Sequence, residues 1–155
     1  MTNIAVESFS AIYSELLPLF QLHWRDLGPY KDQMPLSPNL PVYEFLESAG
    51  QLLCLTARQH RRLIGYLIAK TGPGLHYSET NQAITDIPYV HPEIKMRGIV
   101  MMRLFHAAED EFRKRGVGPW FASYKVGSKH APSMDRLLRH VGMTPCDLQF
   151  SKWIS

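Results

Sequence analysis

The stretch Tyr89-Val-His-Pro-Glu-Ile-Lys-Met-Arg-Gly-Ile-Val-Met-Met-Arg-Leu104 constrains this chain more than any other. An apolar, strand-like run ends at Val90, and Pro92 bars its regular continuation. From Gly98 a helical period begins, with Leu104, Phe105, Ala108 and Phe112 on one face. A strand that turns at once into a long amphipathic helix must bury that helix against a sheet. Backbone N–H groups at a helix N-terminus lack partners and lie at the positive end of the dipole, which makes a ready phosphate site. Gly98 removes a Cβ where a ligand must come close, and Lys95 and Arg97 add positive charge at the mouth. Each helix-end interaction contributes only about 0.3–1 kcal/mol on a surface, so several amides must act together.

The elements around this stretch follow from period and punctuation. Val6 to His23 has Phe9, Ile12, Tyr13, Leu16, Leu17 and Phe20 at helical spacing, and Pro18 predicts a kink or a break. Gly28 to Pro41, with four prolines, reads as loop, and Val42 to Ala49 as a short helix ended by Gly50. Two apolar runs, Gln51–Arg58 and Arg61–Lys70, flank a polar link at Gln59 and His60 and predict an antiparallel hairpin that Gly72-Pro73-Gly74 ends. A third strand is expected from about Gln82 to Val90, then the helix from Gly98 to Arg115 with Gly116 after it. Trp120 to Val126 reads as a strand, Pro132 to Val141 as a helix, and Gln149 to Ile154 as a closing strand. With 155 residues, the expectation is one mixed α/β domain spanning 1–155.

Charge narrows the ligand class. Residues 1–94 hold 6 basic and 9 acidic side chains, whereas residues 95–155 hold 11 and 5, so a basic half follows an acidic one. A basic half attracts phosphates, on nucleic acid or on a cofactor. No apolar run is long enough to span a bilayer, and the first ten residues lack the basic start of a signal peptide. Cys54 and Cys146 show no metal or redox spacing and read as small hydrophobes, so the cytoplasm is the expected compartment. The seven histidines show no metal-ligand spacing either, and no metal is expected.

Lys95-Met96-Arg97-Gly98-Ile99-Val100, with Val90-x-Pro92 before it, resembles the signature of the GCN5-related N-acetyltransferases. That signature is Arg or Gln, two residues, Gly, one residue, then Gly or Ala, at a strand-to-helix turn. The resemblance runs from the hairpin at Gln51 through Gly142-Met143, where the family has Gly-Phe. Leu75-His76-Tyr77, Asp86-Ile-Pro-Tyr89 and Phe150-Ser-Lys-Trp153 look similar to members encoded by bacteriophages and prophages. What the resemblance implies is a mixed, mostly antiparallel sheet flanked by helices, with a splayed strand pair forming the slot for acetyl-CoA. It assigns cofactor binding to Tyr89, Val90, Lys95, Met96, Arg97, Gly98, Ile99, Val100 and Met101. It further implies acetyl transfer to a primary amine of unspecified identity, and pairing into a homodimer as many such domains do. Two residues depart from the pattern. Val100 replaces a small residue, with a β-branched side chain expected to crowd the pyrophosphate. Leu138 replaces the tyrosine that protonates the leaving thiolate in many members.

Such a reaction needs a base for the amine and an acid for the thiolate. Asp86, expected on one strand face with Ile84 and Val90, is the candidate base. Tyr124, at the end of the next strand, and His130, beside the start of the following helix with Ser133, are the candidates near the leaving group. His76 with Tyr77, and His23 with Trp24, are candidates to line the acceptor cleft. Two other readings are a non-catalytic module of this fold in a phage structural or host-interaction role, and a basic nucleic-acid-binding module. Against the last, aromatic residues are not interleaved with the basic ones and no helix-turn-helix or RNP-like segment occurs.

Overall fold

The computed structural model describes residues 1–86 and 88–154. The described elements are β1 (Thr2–Val6), α1 (Phe9–Leu27), α2 (Leu40–Ser48), β2 (Leu52–Gln59), β3 (Arg62–Gly74), β4 (Tyr77–Thr85), β5 (Tyr89–Val90), α3 (Arg97–Lys114), β6 (Trp120–Ala122) and α4 (Ala131–His140). The sheet order is β1-β2-β3-β4-β6, with β5 also beside β3. Every pairing is antiparallel except that of β4 with β6. The expected mixed, mostly antiparallel sheet flanked by helices is what forms.

Alternation along the strands sends side chains to two cores. On one face, Leu53, Leu55, Leu67, Ala69, Ala83 and Val90 pack under α3 through Val100, Leu104, Phe105, Ala108 and Phe112, and Leu138 of α4 joins them. On the other, Leu52, Cys54, Tyr66, Ile68 and Tyr89 meet the apolar stripe of α1, from Phe9 to Phe20. Burial pushes the Cys54 thiol up to about 12, so it stays protonated.

α1 starts where Ser8 accepts a hydrogen bond from the Ala11 N–H at 3.3 Å. The Glu47 carboxylate of α2 accepts from the Phe9 N–H at 2.6 Å and from the Ser10 N–H at 3.2 Å. The two helices are thereby joined at an end where α1's unpaired donors attract an anion. Phe9 is fully buried and stacks on Tyr43 of α2 with centroids 4.1 Å apart. Arg58 ties β2 to the same region through Glu7 (2.9 Å) and Glu15 (2.7 Å).

Several expectations need correction. Of the kink or break expected at Pro18, the break does not occur: α1 runs through the exposed Pro18 as one helix. β1 precedes α1 and carries no turn signal that would reveal it. The hairpin turn falls at His60 and Arg61, both at positive φ (48° and 69°). β3 continues through Gly74, and β4 begins at Tyr77 rather than near Gln82. That predicted strand also covered Ile87, which lies outside the described residues. The strand expected from Trp120 to Val126 stops at Ala122. Residues 149–154 form no strand; Trp153 packs on Tyr30 at 5.7 Å, and the Tyr30 hydroxyl donates to Ser151 at 2.9 Å.

Phe9→Ala removes a fully buried ring at the α1–α2–sheet junction. It is expected to cost roughly 3–5 kcal/mol in urea unfolding. A loss below ~1 kcal/mol would place Phe9 outside the core.

Candidate functional site

Ala69 of β3 pairs with Thr85, and Tyr66 pairs with Tyr89, so three steps on β3 are matched by four on the facing chain. The excess residue is a bulge between Thr85 and Tyr89. Ala83 and Val90 are an odd number of residues apart, yet both pack under α3. The bulge has therefore reversed the alternation. Val90 does not share a face with Asp86, as expected from simple pleating; Tyr89 takes that place, in the α1 core.

The same bulge opens the sheet. β4 pairs in parallel with β6 only from Ala83↔Trp120 to Thr85↔Ala122. Beyond that point the chain stays with β3 as β5, while β6 ends. The His91 N–H donates to the Ile64 carbonyl at 2.8 Å, so alternation turns the N–H and C=O of Val90 away from β3, toward the gap. The splayed pair is a backbone-lined slot.

α3 begins at the mouth of this slot. Its N-cap, Met96, makes no side-chain hydrogen bond, and the first turn holds no acidic residue. The helix starts at Arg97, one residue earlier than expected. The N–H groups of Ile99 and Val100 accordingly turn back to the Met96 carbonyl, at 3.0 and 3.2 Å. Amides available to an anion thus lie at Met96, Arg97 and Gly98, and those of Ile99, Val100 and Met101 belong to the helix. A Cβ on Gly98 would meet nothing within 4 Å, and Gly98 is not among the positive-φ glycines. The fold itself does not require glycine here; the open space is outward. Lys95 is exposed beside it. Val100 is 3% exposed and packs in the α3 core, so its side chain points away from the mouth and cannot crowd a ligand there.

On the α1 side a cavity of about 350 Å³ abuts the bulge. Phe20, Trp24, Tyr43 and Tyr66 supply aromatic walls, the Gly28–Pro38 loop a lid-like edge, and His23, Asp86 and Lys125 the ionisable groups. The His23 ring stacks on Tyr89 with centroids 4.9 Å apart and planes 7° from parallel. Its Nδ1 lies 2.5 Å from the Tyr66 hydroxyl. The Tyr89 hydroxyl in turn donates to Asp26 Oδ2 at 2.6 Å. Burial, and the Asp26 carboxylate after it, push the Tyr89 phenol above its ordinary range, so it remains a donor.

The remaining expected residues separate. Tyr124 lies on the opposite face, its hydroxyl donating to Asp135 of α4 at 3.2 Å; burial and that carboxylate raise its pKa. His130 is the N-cap of α4 and makes no side-chain cap bond. Burial lowers its pKa, the charges of Arg97 and Lys129 lower it further, and Asp26 raises it. Ser133 is not the cap, as its N–H donates to the His130 carbonyl inside the helix. His76 and Tyr77 sit at the exposed β3–β4 turn, away from the cavity. Leu138 is core. Tyr66, Asp26 and Lys125 escaped the sequence reading; Lys125 was legible only by extending the alternation of β6 beyond its end.

A second recess, about 490 Å³, lies between β6, Val141–Cys146 and the C-terminal turns of α3. It meets α3 at Glu109, Phe112 and Arg113, roughly 18–24 Å along the helix from the α3 mouth, and none of its lining residues line the α1-side cavity. Among the described residues no cluster of three or more His, Cys, Asp or Glu could hold a metal ion, and no helix is long and apolar enough to cross a membrane.

No protein-family model matches the sequence, and no curated protein matches it. Solved structures do match. The chain is similar to an aminoglycoside acetyltransferase, HMB0005, from an uncultured soil metagenomic sample, with a TM-score of 0.75, 15% identity, and coverage of 100% of this chain and 99% of that one. It is similar to a ribosomal-protein-alanine N-acetyltransferase from Brucella melitensis biovar Abortus 2308, with a TM-score of 0.70, 17% identity and full coverage of both chains. It is also similar to a predicted acetyltransferase from Clostridium acetobutylicum solved with acetyl-CoA, with a TM-score of 0.68, 14% identity, and coverage of 98% and 96%. The fold is that of the GCN5-related N-acetyltransferases.

Val100→Ala tests the inward placement of that side chain. Loss of two buried methyl groups is expected to cost roughly 2 kcal/mol in urea unfolding. Affinity for acetyl-CoA, measured by calorimetry, is expected not to improve; tighter binding would mean that Val100 faces the mouth.

Proposed function

We propose that this chain is an N-acetyltransferase that moves the acetyl group of acetyl-CoA to a primary amine by direct attack, with no covalent enzyme intermediate. The observation that carries the reading is the alignment of three features at one bulge. They are the uncapped start of α3, the outward backbone edge of Val90, and a cavity holding the Asp86 carboxylate. The fold shared with acetyltransferases, one of them solved with acetyl-CoA, supports it.

The residues present fit the donor. Gly98 leaves outward space for a diphosphate, the Met96–Gly98 amides point to it, and Lys95 and Arg97 balance its charge. Val90 offers one N–H and one C=O to the amide-bearing arm of the coenzyme. Bound acetyl-CoA supplies an activated acyl carbon and a thiol leaving group. Asp86 draws the ammonium of the acceptor into the cavity and holds positive charge there while the proton departs. Tyr124 and His130, on the far side of the slot, are the groups proposed to meet the departing sulfur, since Leu138 cannot. The acceptor enters from the α1 side, between the Gly28–Pro38 loop and β3.

Gly98→Glu places a carboxylate in the outward space without touching the core. It is expected to weaken acetyl-CoA binding at least ~100-fold, about 2.8 kcal/mol, with thermal unfolding little changed. Normal binding by a folded variant would remove the α3 mouth as the diphosphate site. Asp86→Asn is expected to lower kcat on the order of 100-fold and to shift its acid limb; an unchanged profile would exclude Asp86 from the proton chemistry.

A further inference from the structure

His23 enters the cavity from the C-terminal half of α1 and is held on two sides. Tyr89 covers one ring face at 4.9 Å, and the Tyr66 hydroxyl occupies Nδ1 at 2.5 Å. Tyr89 is itself anchored to Asp26 at 2.6 Å. Nε2 is therefore the ring nitrogen left for a ligand, and its orientation is fixed by packing before any ligand arrives. The charged groups around the ring come from every neighbouring element: Asp26 from α1, Asp86 from the bulge, and Lys125 from the segment after β6. Burial holds the imidazole below its ordinary 6.5; Asp86 and Asp26 pull it back up and Lys125 pushes it down. Neutral imidazole is thus the resting form at pH 7. Burial keeps the Tyr66 phenol far from ionising. It can accept from Nδ1–H both in the neutral tautomer that leaves Nε2 unprotonated and in the charged ring.

We propose that His23 Nε2 takes the proton from an apolar, aromatic monoamine seated in this cavity. The proposal rests on the acetyl-transfer reading. Phe20, Trp24 and Tyr43 form walls suited to an apolar body, and among the described lining residues Asp86 is the one carboxylate and Lys125 the one basic side chain besides His23, which suits one ammonium rather than a polycation. In the step, R–NH3⁺ gives one proton to Nε2. The freed lone pair forms the C–N bond at the acetyl carbon, and the C–S bond breaks with its electron pair on sulfur. The second N–H proton passes to that sulfur, so the products are amide and thiol, and the imidazolium returns its proton to water. Asp86 stabilises the imidazolium rather than taking the proton itself.

The probe is phenethylamine with acetyl-CoA, read by thiol release, after calorimetry with acetyl-CoA alone. Absence of acetyl-CoA binding removes the acetyl-transfer reading itself and the proposal with it. Binding without thiol release from phenethylamine overturns this proposal and leaves that reading standing. With release, kcat is expected to rise with pH along an acid limb centred below 6.5, because only neutral imidazole accepts a proton. NMR of the His23 ring in the ligand-free protein is expected to give a midpoint below 6.5 as well. His23→Gln is expected to lose the limb and about 100-fold or more in kcat, with acetyl-CoA affinity retained; a limb that survives overturns the proposal. Asp86→Asn moves the limb down, and its disappearance there with survival in His23→Gln assigns the base to Asp86. Should His23→Gln fail to fold, Tyr66→Phe keeps the ring and removes the acceptor for Nδ1–H. Limb and NMR midpoint then both move down, and an unmoved pair overturns the proposal.

Discussion

One extra residue between Thr85 and Tyr89 governs the whole site. A strand bonded on both sides cannot receive a ligand's backbone-like groups, because its N–H and C=O groups are already spent. Here the chain leaves β6 but keeps β3, so one edge is freed without unfolding the other. The bulge also exchanges the two faces. It carries Tyr89 to the α1 core beside His23 and Val90 to the α3 core, next to the cavity that Asp86 lines. A strand of regular pleat through this point would put Val90 under α1 and close the gap.

Two different kinds of environment meet at that bulge. Toward α3 the ligand-facing groups are backbone amides and basic side chains, a site for negative charge. Toward α1, among the described residues, they are aromatic rings with the Asp86 carboxylate, the His23 imidazole and the Lys125 ammonium, the surroundings proposed above for a small cation with an apolar body. Core residues of each helix supply the rigidity: Val100 and Leu104 hold the start of α3, and Leu16, Leu19 and Phe20 hold the end of α1 that carries His23. Leu138 belongs with the first group. Through it, α4 joins this core with an aliphatic side chain.

The strand-to-helix turn, the β2–β3 hairpin and the two long helices were legible because period and punctuation agree at each. The misplacements share a cause. Tyr77–Thr85 was missed at its start because its first residues are polar and exposed, so no alternation marks them. At Pro18 the break did not occur, because proline's penalty depends on which face it occupies, and exposure is a tertiary property. The pairing of Asp86 with Val90 failed because a bulge is one residue of register, invisible to a count of every second position. Val100 failed for a related reason: a motif position says which residue is near a ligand, but the helix phase says where its side chain points. Tyr66, Asp26 and Lys125 come together only through folding, from a strand, a helix and a loop.

The last residues of the chain lean on Tyr30 through Trp153 and Ser151. Tyr30 adjoins Pro29, and the Trp24 indole N–H reaches across to the Met34 carbonyl at 3.0 Å, so the tail and the cavity rim share one set of contacts. Any coupling through these contacts is reciprocal: the free energy by which a filled hollow orders the carboxyl end equals that by which an ordered end favours filling. Amide exchange at Lys152 and Trp153, with the hollow filled and empty, reads that reciprocity directly.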